Sequence, residues 1–437
     1  MRAVEWRNWS RAESVRPIRV EVPPTVDAAQ RAVLAAARQG LTIKAIGAGH
    51  SFTGIAVAEG VQLLLDRLSG VIAVDEASGR VTLGAGTRLW QLPRLLAPYG
   101  LALQNMGDID RQTIAGATST GTHGTGGGFG GLAAQLVGLT FVTADGGLLH
   151  IDETENAELL PAARVGLGAL GILVDVTVRC VPAFTMHAQE RPEPLEEVLD
   201  AYLERSASAD HFEFYWFPHT RTALTKTNTR LPADAERHPL NPLGRFVDDE
   251  LIANGVYRAL CALGTAFPRM IPPVNRAAGR LTGDRDFTDA SHRVFVTNRT
   301  VRFREMEYAL PRAAVPEAVR EIGRLIDSRG WRISFPIEVR SAAADPNWLS
   351  TAYERESGYV AVHRYYRETR PEQLDYFAEV EKVFIAAGGR PHWGKLHTRD
   401  AAYLAGVYPR FADFVALRDR LDPGHLFGNP YLARVLG

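Results

Sequence analysis

The stretch Ile43–Gly54, written IKAIGAGHSFTG, decides the fold of the first part of this chain. Its apolar start predicts a short strand that enters a turn with two glycines. Glycines this close together let the backbone approach a bulky anion and point N–H groups at it, as in a pyrophosphate cradle. The residues predicted to line this anion are Ala45, Ile46, Gly47, Ala48, Gly49 and Ser51.

The residue after this turn is His50. A Rossmann fingerprint needs a third glycine at the start of a helix, whereas this stretch has Phe52 there. A histidine beside a diphosphate cradle is a nucleophile close to a cofactor, so the pattern is compatible with a covalently held cofactor. An ordinary glycine-rich turn with a surface histidine is the alternative interpretation.

The composition is that of an ordinary globular protein. The chain has 437 residues, of which 46% are hydrophobic, and this length suggests two or three domains. The 49 basic residues balance 50 acidic ones, which excludes the basic field of a nucleic-acid-binding protein. Cys180 and Cys261 are too few for a disulfide framework or a zinc site. No signal peptide and no run of 18 apolar residues is visible, so a cytoplasmic protein without a transmembrane segment is predicted.

Two more glycine-rich loops occur in the first 180 residues. One is GDIDRQTIAGATSTGTHGTGGGFGG at 107–131, where apolar and hydroxyl residues predict an ordered loop rather than a flexible linker, the alternative. The other is 165–172, with Gly168 and Gly171 before a strand. Three such loops beside strands are consistent with one extended ligand that all of them contact.

Helix and strand patterns divide the chain near Val181–Pro182. Short strands and few long parallel units predict an α+β fold. Leu251–Phe267 has an apolar helical pattern; a packing helix is the first interpretation and a peripheral membrane-surface helix the alternative. The predicted helices are Val26–Gln39, Leu89–Tyr99, Val315–Arg329, Pro371–Ala387 and Tyr408–Leu421, and strands of a second sheet are predicted at Val301–Tyr308, Ile333–Ser341 and Tyr359–Tyr366.

The second half carries its own polar residues. Glu338 and Arg340 alternate in FPIEVRS, so on a strand they share one face, where they could clamp a polyol or form a structural ion pair. His363 lies on the next predicted strand. Lys395, between two histidines in RPHWGKLH, is a candidate desolvated base or a cation near a reduced cofactor. Those two histidines lack the spacing and carboxylate company of a zinc site, so no metal is predicted.

Six motifs occur along nearly the whole chain: GAGHSFTGIA (47–56), QTIAGATSTGTHGTG (112–126), GLGALGI (166–172), FPIEVR (335–340), RPHWGKLH (390–397) and LDPGHLFGNPYL (421–432). Together they resemble the aldonolactone oxidoreductases of the vanillyl-alcohol-oxidase flavoprotein superfamily. This group contains L-gulono-1,4-lactone and D-arabinono-1,4-lactone oxidases or dehydrogenases, with the alditol oxidases as relatives. The resemblance implies a two-domain fold: an FAD-binding domain at 1–182, a substrate cap domain at 183–405, and a segment at 406–437 that returns to the FAD domain.

The resemblance also implies roles for individual residues. His50 matches the histidine that bonds covalently to the flavin 8α-methyl in this family. Glu338 and Arg340 match its substrate clamp, and Lys395 its lysine. The further flavin-contacting residues that the resemblance implies are Asp108, Thr113, Gly116, Thr120, Gly121, Thr122, His123 and Ile172.

Two departures favour a lactone over an alditol as substrate. Asp108 stands where alditol oxidases have a serine, and Tyr365 where they have a smaller hydroxyl residue. The implied reaction passes a hydride from a carbinol carbon to flavin N5, with Lys395 or His363 accepting the hydroxyl proton or Lys395 stabilising the alkoxide. A scaffold that retained the fold and a hydroxy-acid or phenol oxidase remain alternatives.

The electrons pass to O2 or to another acceptor, so oxidase and dehydrogenase both remain open. Thr122 is β-branched and stiff, and it would narrow the approach of O2 if its side chain faces the flavin.

Overall fold

The structure of the protein, a computed structural model, describes residues 5–241, 255, 257–281, 283–297 and 299–437. Helices and antiparallel strands mix along the chain, which confirms the predicted α+β class. Within these ranges, no helix is long and apolar enough to cross a membrane.

The amino-terminal part is built on small sheets. Its strands are β1 Trp6–Arg7, β2 Ser14–Val15, β3 Arg19–Glu21, β4 Ile43–Ile46, β5 Val61–Leu64, β6 Val71–Asp75, β7 Arg80–Gly84, β8 Leu101–Ala102, β9 Leu136–Val142, β10 Leu148–Asp152, β11 Ile172–Arg179 and β12 Val181–Pro182. Strands β3, β5 and β4 form a parallel sheet, and β10, β9, β11, β7 and β6 form an antiparallel one in that order. The pairs β1–β2 and β8–β12 lie apart from both.

Short helices pack on these sheets: α1 Val26–Arg38, α2 Leu92–Leu96, α3 Ile114–Ser119 and α4 Leu160–Ala163. Helix α1 begins after Thr25, whose hydroxyl accepts a hydrogen bond from the N–H of Ala28. It buries a stripe of small apolar residues that includes Val33. It ends before Gly40, whose φ of +64° is the left-handed conformation that stops helices.

The second part contains one large antiparallel sheet. Its strands are β13 Thr185–Pro194, β14 His211–Trp216, β15 Thr222–Leu231, β16 Arg285–Ala290, β17 Phe303–Pro311, β18 Ile337–Ala342, β19 Ser357–Tyr365 and β20 Arg390–Pro391. They pair in the order β16–β13–β15–β14–β18–β19–β17–β20. The helices of this part are α5 Leu195–Asp200, α6 Tyr202–Ser208, α7 Tyr257–Ala266, α8 Ile271–Leu281, α9 Ser291–Phe295, α10 Val315–Arg329 and α11 Pro371–Ala386.

The two faces of this large sheet differ in chemistry. On one face, apolar side chains such as Phe214, Val339 and Val362 pack in one core with residues of α10 and α11. Because successive strand residues point to opposite faces, their neighbours project to the other side. There the strands carry the buried residues Glu213, Tyr215, Glu305, Glu307, Glu338, Arg340 and His363, a set that we call the charged face.

The carboxyl-terminal segment packs with the amino-terminal sheets. Its helices are α12 Ala401–Val407, α13 Phe411–Leu421 and α14 Pro430–Leu436. Phe414, Phe427 and Val435 belong to the same core cluster as Val33 and Leu63. The division at residues 182 and 405 stays a prediction.

Several predicted elements differ from the observed ones at their ends. The strand predicted from Ile333 begins at Ile337, because Pro336 has no N–H to donate to a neighbouring strand. Strands β13, β15 and β16 were not predicted, since they are polar and β13 contains prolines. The apolar helix predicted at 251–267 lies partly outside the described residues; its described part, α7, buries Cys261 and Gly264.

Asn429 connects this carboxyl-terminal segment to the first motif. Its side-chain NH2 group lies within 3.0–3.1 Å of the carbonyls of Gly54, Ile55 and Val57. Its oxygen accepts from the N–H of Leu432 and caps α14. We expect Asn429→Ala to lower the free energy of unfolding by about 1–3 kcal/mol, because these groups lose their partner. Denaturant unfolding measures this, with exposed Arg420→Ala as the control; equal stability of the two variants would contradict it.

Candidate active site

A glycine cleft runs along the three glycine-rich loops. Of the residues predicted to contact a cofactor, eleven line it: Ala45, Ile46, Gly47, Ala48, Gly49, His50, Ser51, Thr113, Gly116, Thr120 and Ile172. Gly168 and Gly171 of the third loop line it too. The three loops therefore converge on one cavity.

Two glycines of the first motif occupy positions that a larger residue could not take. A Cβ at Gly47 would collide with the Thr113 hydroxyl oxygen, which itself accepts from the N–H of Gly116 and caps α3. Gly49 has a φ of +68°, a conformation that residues with a Cβ rarely adopt. The backbone of 47–49 is thereby held against the cavity.

Lys44 was missed by the sequence analysis, although it lines the glycine cleft. Its Nζ donates to the carbonyls of Gly168 and Phe427 at 3.0 and 3.1 Å. Burial lowers the pKa of Lys44 to about 7, although the negative charge of Asp422 acts to raise it. A signal for Lys44 existed, since the chain has only four lysines.

His50 lines the glycine cleft, half-buried and stacked on Trp9 with ring centroids 5.5 Å apart. Burial lowers its pKa to about 4, and the charges of Lys395, Arg88 and Arg111 lower it in the same direction. The imidazole is therefore neutral at neutral pH, so a ring nitrogen keeps the lone pair that a nucleophile needs.

Four residues that were predicted to contact the cofactor do not line this cleft. Thr122 does not line the cleft. Its hydroxyl accepts a hydrogen bond from the side-chain amide of Gln112 at 3.1 Å, so Thr122 does not narrow the cavity directly. Gly121 turns the chain with a φ of +78°. Asp108 and His123 lie at the charged face instead, beside Arg340 and Glu307.

Arg340 is the centre of one charge cluster. Its guanidinium contacts Glu338, lies 3.0 Å from Glu213 and is 3.3 Å from Asp108. Arg299 reaches the same carboxylates, at 2.6 Å from Asp108 and 3.7 Å from Glu338. The predicted pair Glu338 and Arg340 is thus part of a larger network whose members Glu213 and Arg299 the sequence did not reveal.

The three carboxyl groups of this cluster differ in proton affinity. Burial acts against ionisation of all three. Arg299 and Arg340 nevertheless hold the pKa of Asp108 well below its usual range, and Arg340 and Lys226 lower that of Glu213. For Glu338 burial prevails over Arg340 and Arg299 and raises the pKa. Glu338 is therefore the carboxylate best suited to accept a proton.

Lys395 reaches the charged face from a loop that is tied to the first motif. The N–H of Phe52 donates to the Gly394 carbonyl at 2.6 Å, and the Thr53 hydroxyl donates to the Trp393 carbonyl. Lys395 Nζ lies 2.5 Å from Glu305 and 4.0 Å from Glu307. This loop therefore brings His50, at the cleft, and the charged face together.

The charge of Lys395 follows from these neighbours. Burial alone would lower its pKa, but Glu305 and Glu307 raise it above 10.5. Lys395 is thus an ammonium at neutral pH, which disfavours the predicted base and favours the predicted cation. The alternative base, His363, faces the Pro336 carbonyl at 2.9 Å and Glu305 at 3.5 Å, and packs against Phe303.

His123, Glu307 and His392 place three potential metal ligands within 4.8 Å of one another. The Nδ1 atom of His392 accepts a hydrogen bond from the N–H of Gly394 at 3.0 Å. The proton of the neutral ring is therefore on Nε2, which would have to lose it to bind a metal while Nδ1 accepts this hydrogen bond. These hydrogen bonds do not fit a metal site.

Comparisons with known proteins show the family to which this chain belongs. Residues 176–435 match the family model described as D-arabinono-1,4-lactone oxidase. The chain is 42% identical over 433 residues to the L-gulono-1,4-lactone dehydrogenase of Mycobacterium tuberculosis, with 99% of each chain covered. The chain belongs to the D-arabinono-1,4-lactone oxidase family.

Other comparisons bear on the two parts of this family member. Residues 17–152 match a model described as an FAD binding domain. L-gulonolactone oxidase of Bos taurus is 32% identical, with 99% of this chain and 98% of that protein covered. A cholesterol oxidase structure from B. sterolicum, at 18% identity, has the same fold with a TM-score of 0.80 over 99% of this chain and 96% of that one.

Three buried histidines of this family member make its stability depend on pH. Burial lowers the pKa of His211 and His392 to about 4 and that of His397 to about 3. The unfolded chain binds these protons near pH 6.5, so stability is full above that pH and falls toward pH 4. We expect up to about 1.4 kcal/mol per pH unit for each histidine.

Unfolding free energies measured between pH 5 and 6.5 test this dependence. In His397→Gln, the slope of the unfolding free energy against pH should decrease by the amount that corresponds to about one bound proton. Exposed His238→Gln should leave this slope unchanged. A pH-independent stability of the unsubstituted protein would contradict the account.

Proposed function

We propose that this protein is an FAD-dependent oxidoreductase that oxidises a sugar lactone of the L-gulono- or D-arabinono-1,4-lactone type. The observation that carries the proposal is the charged face, where Arg340, Glu338 and Lys395 meet the loop of His50. The names of the relatives support this substrate class.

The glycine cleft fits FAD. Glycine backbone forms much of its wall, as a diphosphate requires, and the buried amine of Lys44, with a pKa of about 7, lines it too. We infer that residues 1–182 and 406–437 hold the cofactor and 183–405 the substrate. A cytoplasmic location is supported by Cys180 and Cys261, which are free thiols.

The charged face supplies the groups that the reaction needs. The Arg340 guanidinium offers several N–H donors to the oxygens of a lactone. Glu338, which contacts Arg340 and whose pKa is raised by burial, is the group that we infer accepts the hydroxyl proton. The Lys395 ammonium stabilises negative charge on the substrate oxygen while the C–H bond breaks. FAD, when bound, supplies the acceptor for the hydride, and O2 or another acceptor takes the electrons.

Anaerobic mixing of the FAD-loaded protein with candidate substrates tests the proposed function. Lactones of the gulono and arabinono type should bleach the flavin absorbance, and polyols, lactate and phenols should do so slowly or not at all. Arg340→Met should lower kcat/KM for the lactone roughly a hundredfold or more, because an interaction with a buried charge is worth about 2–5 kcal/mol.

Arg364→Met is the matched control, since Arg364 is equally buried and pairs with Glu368 instead. It should leave kcat/KM for the lactone near the unsubstituted value. Bleaching by polyols but not lactones would overturn the proposed substrate class, and normal turnover by Arg340→Met would remove Arg340 from the site.

We also infer a covalent bond between a ring nitrogen of His50 and the flavin 8α-methyl carbon. The bond replaces one N–H and one C–H bond, and the two protons and two electrons released pass to an acceptor. The low pKa of His50 leaves its nitrogen free for this step. Flavin should therefore stay with acid-precipitated protein. In His50→Ala it should be released, whereas exposed His238→Ala should retain it. Complete release from the unsubstituted protein would rule the bond out.

A further inference from the structure

Lysine is rare in this chain. Only four lysines occur among 49 basic residues, at 44, 226, 382 and 395. Of these, Lys382 has a side chain that is 68% exposed, whereas Lys395 is 21% exposed. Lys395 therefore places a compact ammonium, whose charge depends on its surroundings, in a chain that uses arginine at nearly all other basic positions.

Two carboxylates that the proposed reaction does not use lie directly beside this ammonium. Glu305 and Glu307 alternate on β17, so both point to the charged face. Both are buried, at 4% and 3% exposure. Lys395 Nζ lies between them, 2.5 Å from Glu305 and 4.0 Å from Glu307.

A histidine ring lies beside the other oxygen of each carboxylate. His363 Nδ1 lies 2.9 Å from the Pro336 carbonyl and its Nε2 3.5 Å from Glu305. His123 Nδ1 lies 2.8 Å from the Gly124 carbonyl and its Nε2 3.3 Å from Glu307. Because a carbonyl only accepts, each Nδ1 carries a proton, and this fixes both rings. The two carboxylates are thus enclosed between Lys395 and two oriented rings, and both are buried.

We propose that Glu305 and Glu307 are positioning residues that keep Lys395 an ammonium and hold it against the active site. This inference rests on the proposed function for its catalytic consequence. Lactone oxidation needs a fixed positive charge where the substrate oxygen becomes negative, and a neutral amine in the same place would not supply it. Glu305 is the stronger partner because it is nearer.

Other charged groups also face Lys395, and they divide by sign. Glu338 on β18 and Asp108 on its loop attract the ammonium. His50 and His392 lie close enough for Lys395 to lower their pKa, so they do not help to keep it protonated. Among the facing groups that the structure describes, Glu305 raises the pKa of Lys395 most strongly, ahead of Glu307 and Glu338.

The charge of Lys395 can be measured directly by competitive acetylation with acetic anhydride over pH 7–11, followed by mass spectrometry of the FAD-loaded protein. Exposed Lys382 is the internal standard in the same molecule. Burial lowers the pKa of Lys395, and without Glu305 less negative charge opposes this effect. The pKa of Lys395 therefore falls, and its reactive neutral amine forms at lower pH. In Glu305→Gln we expect Lys395 to react roughly tenfold or more faster at pH 9 relative to Lys382.

Three further variants make this result specific. Glu307→Gln should give a smaller increase, because its carboxylate is farther from Nζ. Glu305→Asp should restore the slow labelling, since it retains the charge. Glu368→Gln removes a buried carboxylate that pairs with Arg364, and it should leave Lys395 as slow as in the unsubstituted protein.

The pH dependence of turnover links this charge to the reaction. With the lactone, the alkaline limb of kcat/KM should move to lower pH in Glu305→Gln, and stay in place in Glu368→Gln. Unchanged Lys395 labelling in folded Glu305→Gln would overturn the inference whatever the substrate is. Faster labelling in a protein that does not oxidise lactones would instead contradict the proposed function. It would still support the role of Glu305 and Glu307 in keeping Lys395 an ammonium.

Discussion

The burial of charge at the charged face of the large sheet is the constraint on which the rest of this structure depends. Asp108, Glu213 and Glu338 face Arg299 and Arg340, and Glu305 and Glu307 face Lys395. Buried ion pairs of this kind contribute little net stability compared with well-packed apolar residues. Their cost is understandable if the face binds and orients a polar substrate, which apolar residues cannot do.

The fold provides this face through simple alternation. In β14, β17, β18 and β19, every second residue enters the helix-covered core, so the residues between them point to one common surface. Pairing then sets the positions across the strands: Tyr215 lies opposite Glu338, and Glu305 lies opposite His363. The loop at 392–397 closes the surface against the first motif, because Phe52 hydrogen-bonds to Gly394.

Local patterns explain how much of this could be predicted. The glycine-rich loops were recognised because a backbone that approaches an anion leaves a mark in the sequence, and eleven of their predicted residues line one cleft. Glu338 and Arg340 were recognised because their alternation in FPIEVRS is local too. The same alternation in FREMEYALP held the signal for Glu305 and Glu307, which was overlooked.

Other members of the site depend on long-range folding and left no local mark. Arg299 lies outside the strands and reaches Asp108 and Glu338 only in the folded chain. The protonation of Lys395 could not be inferred either, since it depends on carboxylates about ninety residues away along the chain. Thr122 was considered as a gate for O2, but its side chain is directed to Gln112 by a hydrogen bond that no spacing predicts.

A crystal structure of the FAD-loaded protein with bound L-gulono-1,4-lactone would show directly which residues bind the substrate. We expect the lactone to bind on the charged face, with its oxygens on Arg340, Glu338 and Lys395. The structure also contains a separate cavity of about 370 Å³, lined by residues that include Trp90, Arg94, Asp110 and His292. A lactone bound there, with the charged face free of it, would contradict the account.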